Sequence, residues 1–208
     1  MLENDISGLT VEIDGIQLTS RLIGEFNVYN LLVAYSVANC LGEDPMTILT
    51  LLSNIKAPEG RFEYFVSSSK VTSIVDYAHT PDALKNILLA NTLYKKKPSL
   101  IFGCGGNRDK LKRRKMAEIA DKFAKSIYVT DDNPRNENPQ SIRSSILRFC
   151  PRAIEIPNRK RAIYEGINKL KKNDILIIAG KGHEKNQILK NKIIKFDDFK
   201  IAKHILDN

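Results

Sequence analysis

Chemically versatile side chains are concentrated in four short loops of this sequence. Each loop follows a short, largely apolar segment of the kind that forms a buried strand. Glycine lets a backbone pass close to a ligand, arginine binds carboxylates or phosphates, and carboxylates bind ammonium groups. Because ligand sites of parallel sheets lie past the carboxyl ends of the strands, the loops together predict one polar crevice. The loops are residues 78–82 (AHTPD), 103–109 (GCGGNRD), 131–135 (DDNPR) and 180–184 (GKGHE).

The glycine-rich loop at 103–109 favours an anion site over a dinucleotide site. A dinucleotide fingerprint of the form G-x-G-x-x-G requires glycine at position 108, where the chain has Arg108. A tight turn is the simplest explanation of the glycines themselves. The guanidinium of Arg108, in contrast, suits bidentate binding of a carboxylate or a phosphate.

The DNPR segment at 132–135 has two explanations. Aspartate, asparagine and proline all favour turns, so the segment could be a turn and nothing more. Alternatively, Arg135 binds a carboxylate while Asp132 and Asn133 bind an ammonium group. A zwitterionic amino acid requires such opposite charges at a fixed separation, so the functional explanation predicts an amino-acid pocket.

The GKGHE segment at 180–184 resembles half of a phosphate loop. A Walker A loop, G-x-x-x-x-G-K-[ST], occurs nowhere in the chain, and Lys181 is followed by Gly182. His79, taken alone, is more typical of a hydrogen-bonded structural histidine than of a catalyst. No cluster has the spacing of a zinc site, and no serine lies in a G-x-S-x-G elbow. The sequence therefore assigns neither a catalytic residue nor a metal ligand.

The first part of the chain predicts a β-hairpin followed by two helices. Apolar residues alternate on both sides of Asp14-Gly15, a strong signal for a hairpin turn. After Glu25 the apolar residues recur at helical spacing, and Gly42 stands where a helix commonly ends. A second helix is expected at 46–55.

A turn-rich stretch, APEGR at 57–61, predicts a boundary between a domain at 1–60 and a domain at 61–208. Beyond this stretch, short apolar strands alternate with helices. This alternation predicts an α/β domain whose mainly parallel sheet is covered on both faces. Strands are expected at 62–66, 71–77, 99–104, 126–130, 153–156 and 174–180, a hairpin at 187–194, and helices at 81–95, 110–125, 141–149, 159–170 and 197–205.

The formal net charge of +9 leaves several partners open. A basic surface attracts nucleic acid or membranes, or steers small anionic substrates, but we expect many of the lysines on solvated helix faces. No nucleic-acid recognition pattern accompanies the charge. No apolar stretch approaches the roughly 20 residues that cross a bilayer, and the amino terminus does not read as a signal peptide. We therefore expect a cytoplasmic protein without nucleic-acid or membrane partners.

The three cysteines form no C-x-x-C pair. An odd number of cysteines in a chain without a secretion signal indicates free, reduced thiols. Because free cysteine behaves as a small hydrophobic residue, we expect Cys40, Cys104 and Cys150 all to be buried.

Six segments, in register along the chain, resemble successive motifs of the Mur ligases. The resemblance covers essentially the whole sequence. It implies that residues 1–60 correspond to the end of a central ATP-binding domain and residues 61–208 to a Rossmann-like carboxy-terminal domain. The segments are GEFNVYN at 24–30, GRFE at 60–63, VDYAHTPDAL at 75–84, FGCGGNRDK at 102–110, TDDNPR at 130–135 and AGKGHE at 179–184.

Mur ligases join an amino acid to a nucleotide-linked peptide carboxylate while ATP is cleaved to ADP in the presence of Mg²⁺. Arginine at the end of DNPR is typical of the type that adds meso-diaminopimelate to UDP-N-acetylmuramoyl-dipeptide. Diaminopimelate differs from lysine by one distal carboxylate, which Arg135 can pair with. By motif match, the implied substrate pocket consists of Arg108, Asp132, Asn133, Pro134, Arg135, Gly180 and Glu184.

The resemblance also implies part of an ATP site. Arg61 would face the phosphates and Asp76 the ribose hydroxyls, while Asn27, Asn30 and His79 would lie near the adenine. The two asparagines are three positions apart and therefore share one face of the predicted helix, although ordinary capping at the start of a helix would explain them as well.

Several parts of a full-length Mur ligase have no counterpart in this chain. These are the phosphate loop, the magnesium-binding acids and the uridine-nucleotide domain, so most Mg²⁺ ligands are expected outside these residues. Turnover would then require a companion chain that carries the phosphate loop. A non-catalytic remnant that still binds amino acid and nucleotide is the alternative. The glycine-rich loop also departs from the usual GCGGDRDKGKRP, since it contains Asn107, Leu111 and Arg114.

Overall fold

The computed structural model describes residues 1–5, 8–90 and 96–207. The chain divides into two compact units, Met1–Pro58 and Glu59–Asn208. Across the described ranges, every helix is too short or too polar to cross a bilayer.

The first unit consists of a three-stranded antiparallel sheet and two helices, and the sheet has the order β1-β2-β3. The predicted hairpin is confirmed, because β2 pairs with β3 across a turn in which Asp14 (φ 51°) and Gly15 (φ 78°) both have left-handed backbones. A turn with two positive φ angles matches the twist of the strands that it joins. The elements are β1 (Glu3–Asp5), β2 (Gly8–Ile13), β3 (Ile16–Ser20), α1 (Phe26–Cys40) and α2 (Pro45–Ser53).

An apolar core joins the sheet of the first unit to its helices. Alternate residues of β2 and β3 point into this core, together with one face of each helix. At its edge, the buried ring of Tyr35 donates a hydrogen bond from its hydroxyl to Asp14 Oδ2 at 2.7 Å, which ties α1 to the hairpin turn. The core consists of Leu9, Val11, Ile13, Leu18, Leu22, Leu31, Tyr35, Ile48, Leu49 and Leu52.

The second unit contains a six-stranded sheet of order β4-β5-β9-β6-β7-β8 and a separate two-stranded hairpin. Helices α3, α4 and α5 pack in succession against one another, whereas α6 and α7 pack together and against the sheet. The strands are β4 (Glu63–Val66), β5 (Thr72–Asp76), β6 (Ser99–Phe102), β7 (Ile127–Val129), β8 (Ile154–Glu155), β9 (Ile175–Ala179), β10 (Asn186–Leu189) and β11 (Lys192–Lys195). The helices are α3 (Pro81–Ala90), α4 (Leu111–Phe123), α5 (Pro139–Leu147), α6 (Arg159–Asn168) and α7 (Asp198–Asp207).

The predicted α/β class with a mainly parallel sheet is confirmed. Strands β5 to β9 of the main sheet are mutually parallel, and only β4 runs antiparallel, against β5. Every residue of β5, β6, β7 and β9 is buried, as expected for strands covered on both faces. Strand β9 lies between β5 and β6 in the sheet. The strand order therefore switches at the centre of the sheet.

Some element boundaries differ from the prediction. Helix α5 begins at Pro139, two residues before the predicted start, because the Asn138 side chain accepts hydrogen bonds from the backbone N–H of Gln140 and Ser141 and so caps the helix. Strand β1 was not predicted, since three residues are too few to give a periodic signal. The predicted continuation of α3 through 91–95 lies outside the described residues.

The prediction for the cysteines is wrong in one case. Cys104 and Cys150 are buried and free, but Cys40 is free and exposed at the end of α1. Cysteine type alone indicates burial, whereas exposure is decided by which face of the helix carries the residue.

Candidate functional site

A cleft of about 440 Å³ lies past the carboxyl ends of β5, β6, β7 and β9. It forms where the strand order switches, because the loops of neighbouring parallel strands then diverge and leave a gap. All four of the loops singled out in the sequence contribute to its walls. The lining residues are Tyr77, His79, Thr80, Gly103, Cys104, Gly105, Arg108, Asp109, Lys112, Asp132, Asn133, Arg135, Gly180 and Glu184. Of the residues predicted for the substrate pocket, only the buried Pro134 is absent from this lining.

Arg135 is held with part of its guanidinium free. Its backbone has a φ of 51°, a left-handed conformation that non-glycine residues seldom adopt. Nη1 donates to the carbonyl oxygen of Gly106 at 3.1 Å, and a longer contact of 3.4 Å reaches the carbonyl of Asn133. Among the described residues, Nε and Nη2 have no acceptor. The guanidinium can therefore bind a ligand carboxylate through these donors.

Two further cations line the same cleft. Arg108 is exposed, and its guanidinium has no hydrogen-bond partner in the described part of the chain. Lys112 donates from Nζ to the carbonyl oxygen of His79 at 2.8 Å, which ties the start of α4 to the loop after β5. Arg108, Lys112 and Arg135 together form a positive wall.

Asp132 and Glu184 supply negative charge to the cleft. Asp132 is 8% exposed, and no donor among the described residues reaches its carboxylate. Gly180, with a φ of 113°, passes so close that an added Cβ would lie 2.7 Å from Asp132 Oδ2. Glycine is therefore required there, both for the backbone conformation and to leave the carboxylate accessible. The cleft thus combines carboxylates with guanidinium groups, which suits a zwitterion.

Lys181 is a buried member of the site that the sequence did not identify. Its side chain is 0% exposed, and Nζ donates to Asn133 Oδ1 at 3.0 Å, Glu184 Oε2 at 3.2 Å and the carbonyl of Asn186 at 2.6 Å. The glycine residues on both sides of Lys181 could have indicated its role in the site, but the sequence prediction considered this segment only as a fragment of a phosphate loop.

Strand β10 holds the DNPR loop in place. The backbone N–H of Ile188 donates to Asn133 Oδ1 at 2.9 Å, and the backbone N–H of Arg135 donates to the carbonyl of Ile188 at 3.1 Å. The buried side chain of Gln187 donates to the carbonyl of Asp132 at 2.8 Å. The sequence predicted the hairpin but gave no indication that it contacts this loop, because the two segments are distant along the chain.

An ion pair joins the start of α4 to the loop after β7. Arg113 donates from Nη1 and Nη2 to the two carboxylate oxygens of Glu137 at 2.7 and 2.8 Å, and Glu137 also accepts from the backbone N–H of Asn107 at 3.2 Å. The hydrogen bonds from Arg113 are the main cause that lowers the pKa of Glu137 to about 2. This pair fixes the segment that carries Arg108.

Cys104 lines the cleft but is a poor nucleophile. Burial raises the pKa of its thiol to about 12, so the thiolate is scarce at neutral pH. Within the described ranges, no group of three His, Cys, Asp or Glu side chains is arranged to hold a metal ion. The arrangement is therefore suited to binding and orienting a ligand through charge and hydrogen bonds.

Two of the residues predicted for an ATP site, Arg61 and His79, lie against the ring of Tyr77. The guanidinium of Arg61 lies 4.5 Å above this ring, and the His79 and His183 rings lie 4.5 and 4.9 Å from it. Arg61 and His79 are exposed, whereas Asp76 is buried.

The Asp76 carboxylate accepts hydrogen bonds from the backbone N–H groups of Phe62 and Ala78, each at 2.7 Å. Burial raises the pKa of Asp76, and these two hydrogen bonds oppose the shift. Asp76 thus has a structural task in shaping the loop after β5, whatever else it binds.

Asn27 and Asn30 lie in the first unit, on α1. Asn30 Nδ2 donates to Asn27 Oδ1 at 2.9 Å, so the two side chains share one helix face as expected. Asn27 Nδ2 donates to the carbonyl of Ile23 at 2.8 Å, which is a local bond at the start of the helix. This bond does not cap the helix, because Asn27 donates to a carbonyl and no side chain accepts a capping hydrogen bond at the start of α1.

A second groove, of about 950 Å³, lies at α6 and α7 and is larger than the cleft. Among the described residues its lining contains no carboxylate and consists of Asn158, Lys160, Arg161, Tyr164, Asn168, His204 and Ile205. We regard the smaller cleft as the candidate site because side chains of both charges and the ends of four strands converge there.

Comparison with protein families matches residues 60–182 to the family described as Mur ligase, glutamate ligase domain. Among curated proteins, the chain is 44% identical to the UDP-N-acetylmuramoyl-L-alanyl-D-glutamate–2,6-diaminopimelate ligase of Cytophaga hutchinsonii, over 100% of this chain and 44% of that protein. The enzyme of the same name from Buchnera aphidicola is 44% identical over 91% of this chain and 38% of its own length. The chain therefore spans less than half the length of these relatives.

Solved structures agree with this comparison. A structure of UDP-N-acetylmuramoyl-L-alanyl-D-glutamate–2,6-diaminopimelate ligase superimposes with a TM-score of 0.70 and 32% identity, covering 98% of this chain and 44% of that one. The UDP-N-acetylmuramate–alanine ligase of Thermotoga maritima gives a TM-score of 0.69 at 21% identity, covering 97% and 43% of the two chains. At that identity the second structure shares the fold and supports nothing finer.

Proposed function

The chain belongs to the Mur ligase family, and we propose that it forms the amino-acid-binding portion of an ADP-forming ligase. The proposed ligase adds meso-diaminopimelate to UDP-N-acetylmuramoyl-L-alanyl-D-glutamate. This reaction is a step in the synthesis of peptidoglycan precursors, which takes place in the cytoplasm. The names of the similar proteins support the choice of amino acid.

The observation that carries the proposal is the pairing of opposite charges in one cleft. Arg108 and Arg135 stand on the same cleft as Asp132 and Glu184, and both arginines keep donors without partners among the described residues. The distal end of meso-diaminopimelate carries a carboxylate and an ammonium group. The arginines would bind the distal carboxylate, and Asp132 and Glu184 would bind the distal ammonium group. Binding of the distal end would fix the position of the reacting amine, which is at the opposite end of the molecule.

Asn133 has a different task from the one that its sequence context suggested. Its side-chain oxygen already accepts hydrogen bonds from Lys181 Nζ and from the backbone N–H of Ile188. A carbonyl oxygen has two lone pairs, so no acceptor site remains for an ammonium group. The carboxylates of Asp132 and Glu184 are therefore the groups proposed for that role.

ATP and Mg²⁺ are proposed as cofactors of the whole enzyme, in which ATP activates the peptide carboxylate by phosphorylation. Arg61 fits a phosphate, because its guanidinium is exposed and braced on the ring of Tyr77. The described residues do not fit Mg²⁺, since they contain no cluster of suitable ligands. This chain would accordingly contribute charge and orientation, and the phosphate loop and the metal ligands would come from outside these residues.

A non-catalytic binding protein is the second candidate. The charged side chains of the cleft favour it, because they can bind an amino acid without activating a carboxylate. Both candidates share the cleft, and they differ only in whether a second chain restores ligation.

Equilibrium titration of the purified chain tests the proposed ligand. We expect meso-diaminopimelate to bind at least about tenfold more tightly than L-lysine, since a charge-assisted hydrogen bond contributes about 1.5–3 kcal/mol. Calorimetry with both amino acids at one ionic strength measures the difference. Equal affinities would remove the role proposed for Arg135.

An assay of ATP-dependent ligation separates the two candidates. The 208-residue chain alone is expected to form no product from ATP, diaminopimelate and the UDP-linked dipeptide. Addition of a chain that carries the phosphate loop should restore product formation if the protein is part of a ligase. Product formed by the isolated chain would contradict the division of tasks proposed here.

A further inference from the structure

Lys181 is the most deeply buried charged group at the cleft. Its side chain is 0% exposed, directly beneath Asn133 and Glu184. A lysine ammonium has three donors and no acceptor, and the three hydrogen bonds of Lys181 Nζ use all of them. No donor is left to bind a ligand, so Lys181 acts through its neighbours.

We infer that Lys181 is a positioning residue that, together with Asn133, orients Glu184 to receive the ammonium group of the substrate. The inference rests on the proposed function for the identity of the ligand. The orientation itself follows from hydrogen bonds of the ligand-free protein.

The Lys181 ammonium fixes the Asn133 amide in one of its two orientations. Lys181 Nζ and the Ile188 N–H are both donors, so the oxygen of the Asn133 amide must face them. The amide nitrogen then faces the other way and donates to Glu184 Oε2 at 2.7 Å. If Lys181 were neutral and apolar, one of the two restraints on this orientation would be lost.

Glu184 is held by the same pair of residues. Its Oε2 accepts from both Lys181 Nζ and Asn133 Nδ2, whereas no donor among the described residues reaches Oε1. One carboxylate oxygen is therefore anchored, and the other is available on the cleft that Glu184 lines.

The substitution Lys181→Met tests this role with a side chain of similar length and no charge. In calorimetry with the full chain, the Kd for meso-diaminopimelate should rise at least about tenfold, or about 1.4 kcal/mol. In the ligand-free protein, hydrogen exchange of the Ile188 amide should accelerate by a similar factor, because its acceptor on Asn133 is no longer held.

Lys185→Met is the matched control. Lys185 lies in the same loop and forms ion pairs with Glu59 and with Asp197, but it does not line the cleft. Lys185→Met should leave both the Kd for meso-diaminopimelate and the exchange rate of the Ile188 amide within about twofold of the wild-type values. Loss of binding in both variants would assign the effect to the loop in general and overturn the inference.

A double-mutant cycle with Glu184→Gln separates positioning from general destabilisation. If Lys181 acts through Glu184, the double variant should bind diaminopimelate only slightly more weakly than Glu184→Gln alone. Additive losses would overturn the inference, because they would mean that Lys181 affects binding by another route. Should Lys181→Met fail to fold, Lys181→Gln permits the same cycle, since it keeps a neutral donor in place of the charge.

The two readouts distinguish the failure of this inference from failure of the proposed function. If the wild type does not bind diaminopimelate, the proposed function is wrong, and the exchange of Ile188 still reports on Lys181. If the wild type binds and Lys181→Met binds equally well, the positioning role is wrong and the proposed function stands. Unchanged exchange of Ile188 in Lys181→Met overturns the positioning role in either case.

Discussion

Arg135 is the side chain that would distinguish diaminopimelate from lysine. One of its terminal nitrogens is anchored on the carbonyl of Gly106, and its remaining donors have no partner among the described residues. The anchor removes much of the conformational freedom that a long side chain otherwise loses on binding. A ligand carboxylate would thus meet a guanidinium already fixed in position.

The substitution Arg135→Gln should weaken the binding of meso-diaminopimelate by about 10- to 100-fold and leave the binding of lysine nearly unchanged. The physical reason is the loss of charge-assisted hydrogen bonds, which contribute about 1.5–3 kcal/mol. Titrations of both amino acids measure the effect. Arg161→Gln is the control, because Arg161 is exposed on α6 and does not line the cleft. Unchanged affinity for diaminopimelate in Arg135→Gln would contradict the proposal.

Residue types alone were enough to predict which loops form the cleft, but they did not predict the role of each side chain in it. Arg108, Asp132 and Arg135 could be identified because a charged residue beside glycine or proline after a strand is unusual in a structural role. The burial of Lys181 could not be predicted, since it depends on Asn186 and Asn133 closing over the ammonium group.

At the scale of elements, the cleft depends on contacts between segments far apart in sequence. The DNPR loop follows β7 yet is bonded to β10, and the glycine-rich loop after β6 is bonded to Glu137. Apart from the short β1, strand and helix positions were predictable from the local sequence, because the helices repeat their apolar residues periodically and the central strands are largely apolar runs. The contacts that position the loops were not predictable, because no local pattern specifies a partner 55 residues away.

The Arg113–Glu137 pair should contribute to stability in a pH-dependent manner. Its carboxylate has a folded-state pKa of about 2 against an ordinary value of 4.5. The contribution is therefore complete above pH 4.5 and is lost as the pH falls towards 2. Glu137→Gln should lower the free energy of unfolding by about 1.5–3 kcal/mol at pH 7, because Arg113 is buried and loses a charged acceptor.

Denaturant unfolding at several pH values measures this contribution. The difference between the wild type and Glu137→Gln should be constant at neutral pH and shrink below pH 4.5. Glu118→Gln is the matched control, since Glu118 pairs with Arg114 at a similar distance of 2.8 Å but both side chains are exposed. Such exposed pairs contribute about 0–1 kcal/mol. A difference that grows in acid would contradict this prediction.

At the scale of the whole molecule, the excess of basic residues has no single explanation. The net charge of +9 is spread over solvated helices as well as over the cleft. Lys112, Arg108 and Arg135 concentrate positive potential at the cleft, which would attract anionic ligands such as dicarboxylates. The sequence gives the total charge directly, but only the fold shows which cations share a cavity.

A crystal structure of the chain with bound meso-diaminopimelate is the most direct test of the proposed site. We expect the distal carboxylate within hydrogen-bond distance of Arg135, and the distal ammonium group beside Asp132 and Glu184. Asn133 Oδ1 should remain bonded to Lys181 rather than to the ligand. Diaminopimelate bound elsewhere, or bound in this cleft with its carboxylate away from both Arg108 and Arg135, would contradict the assignment.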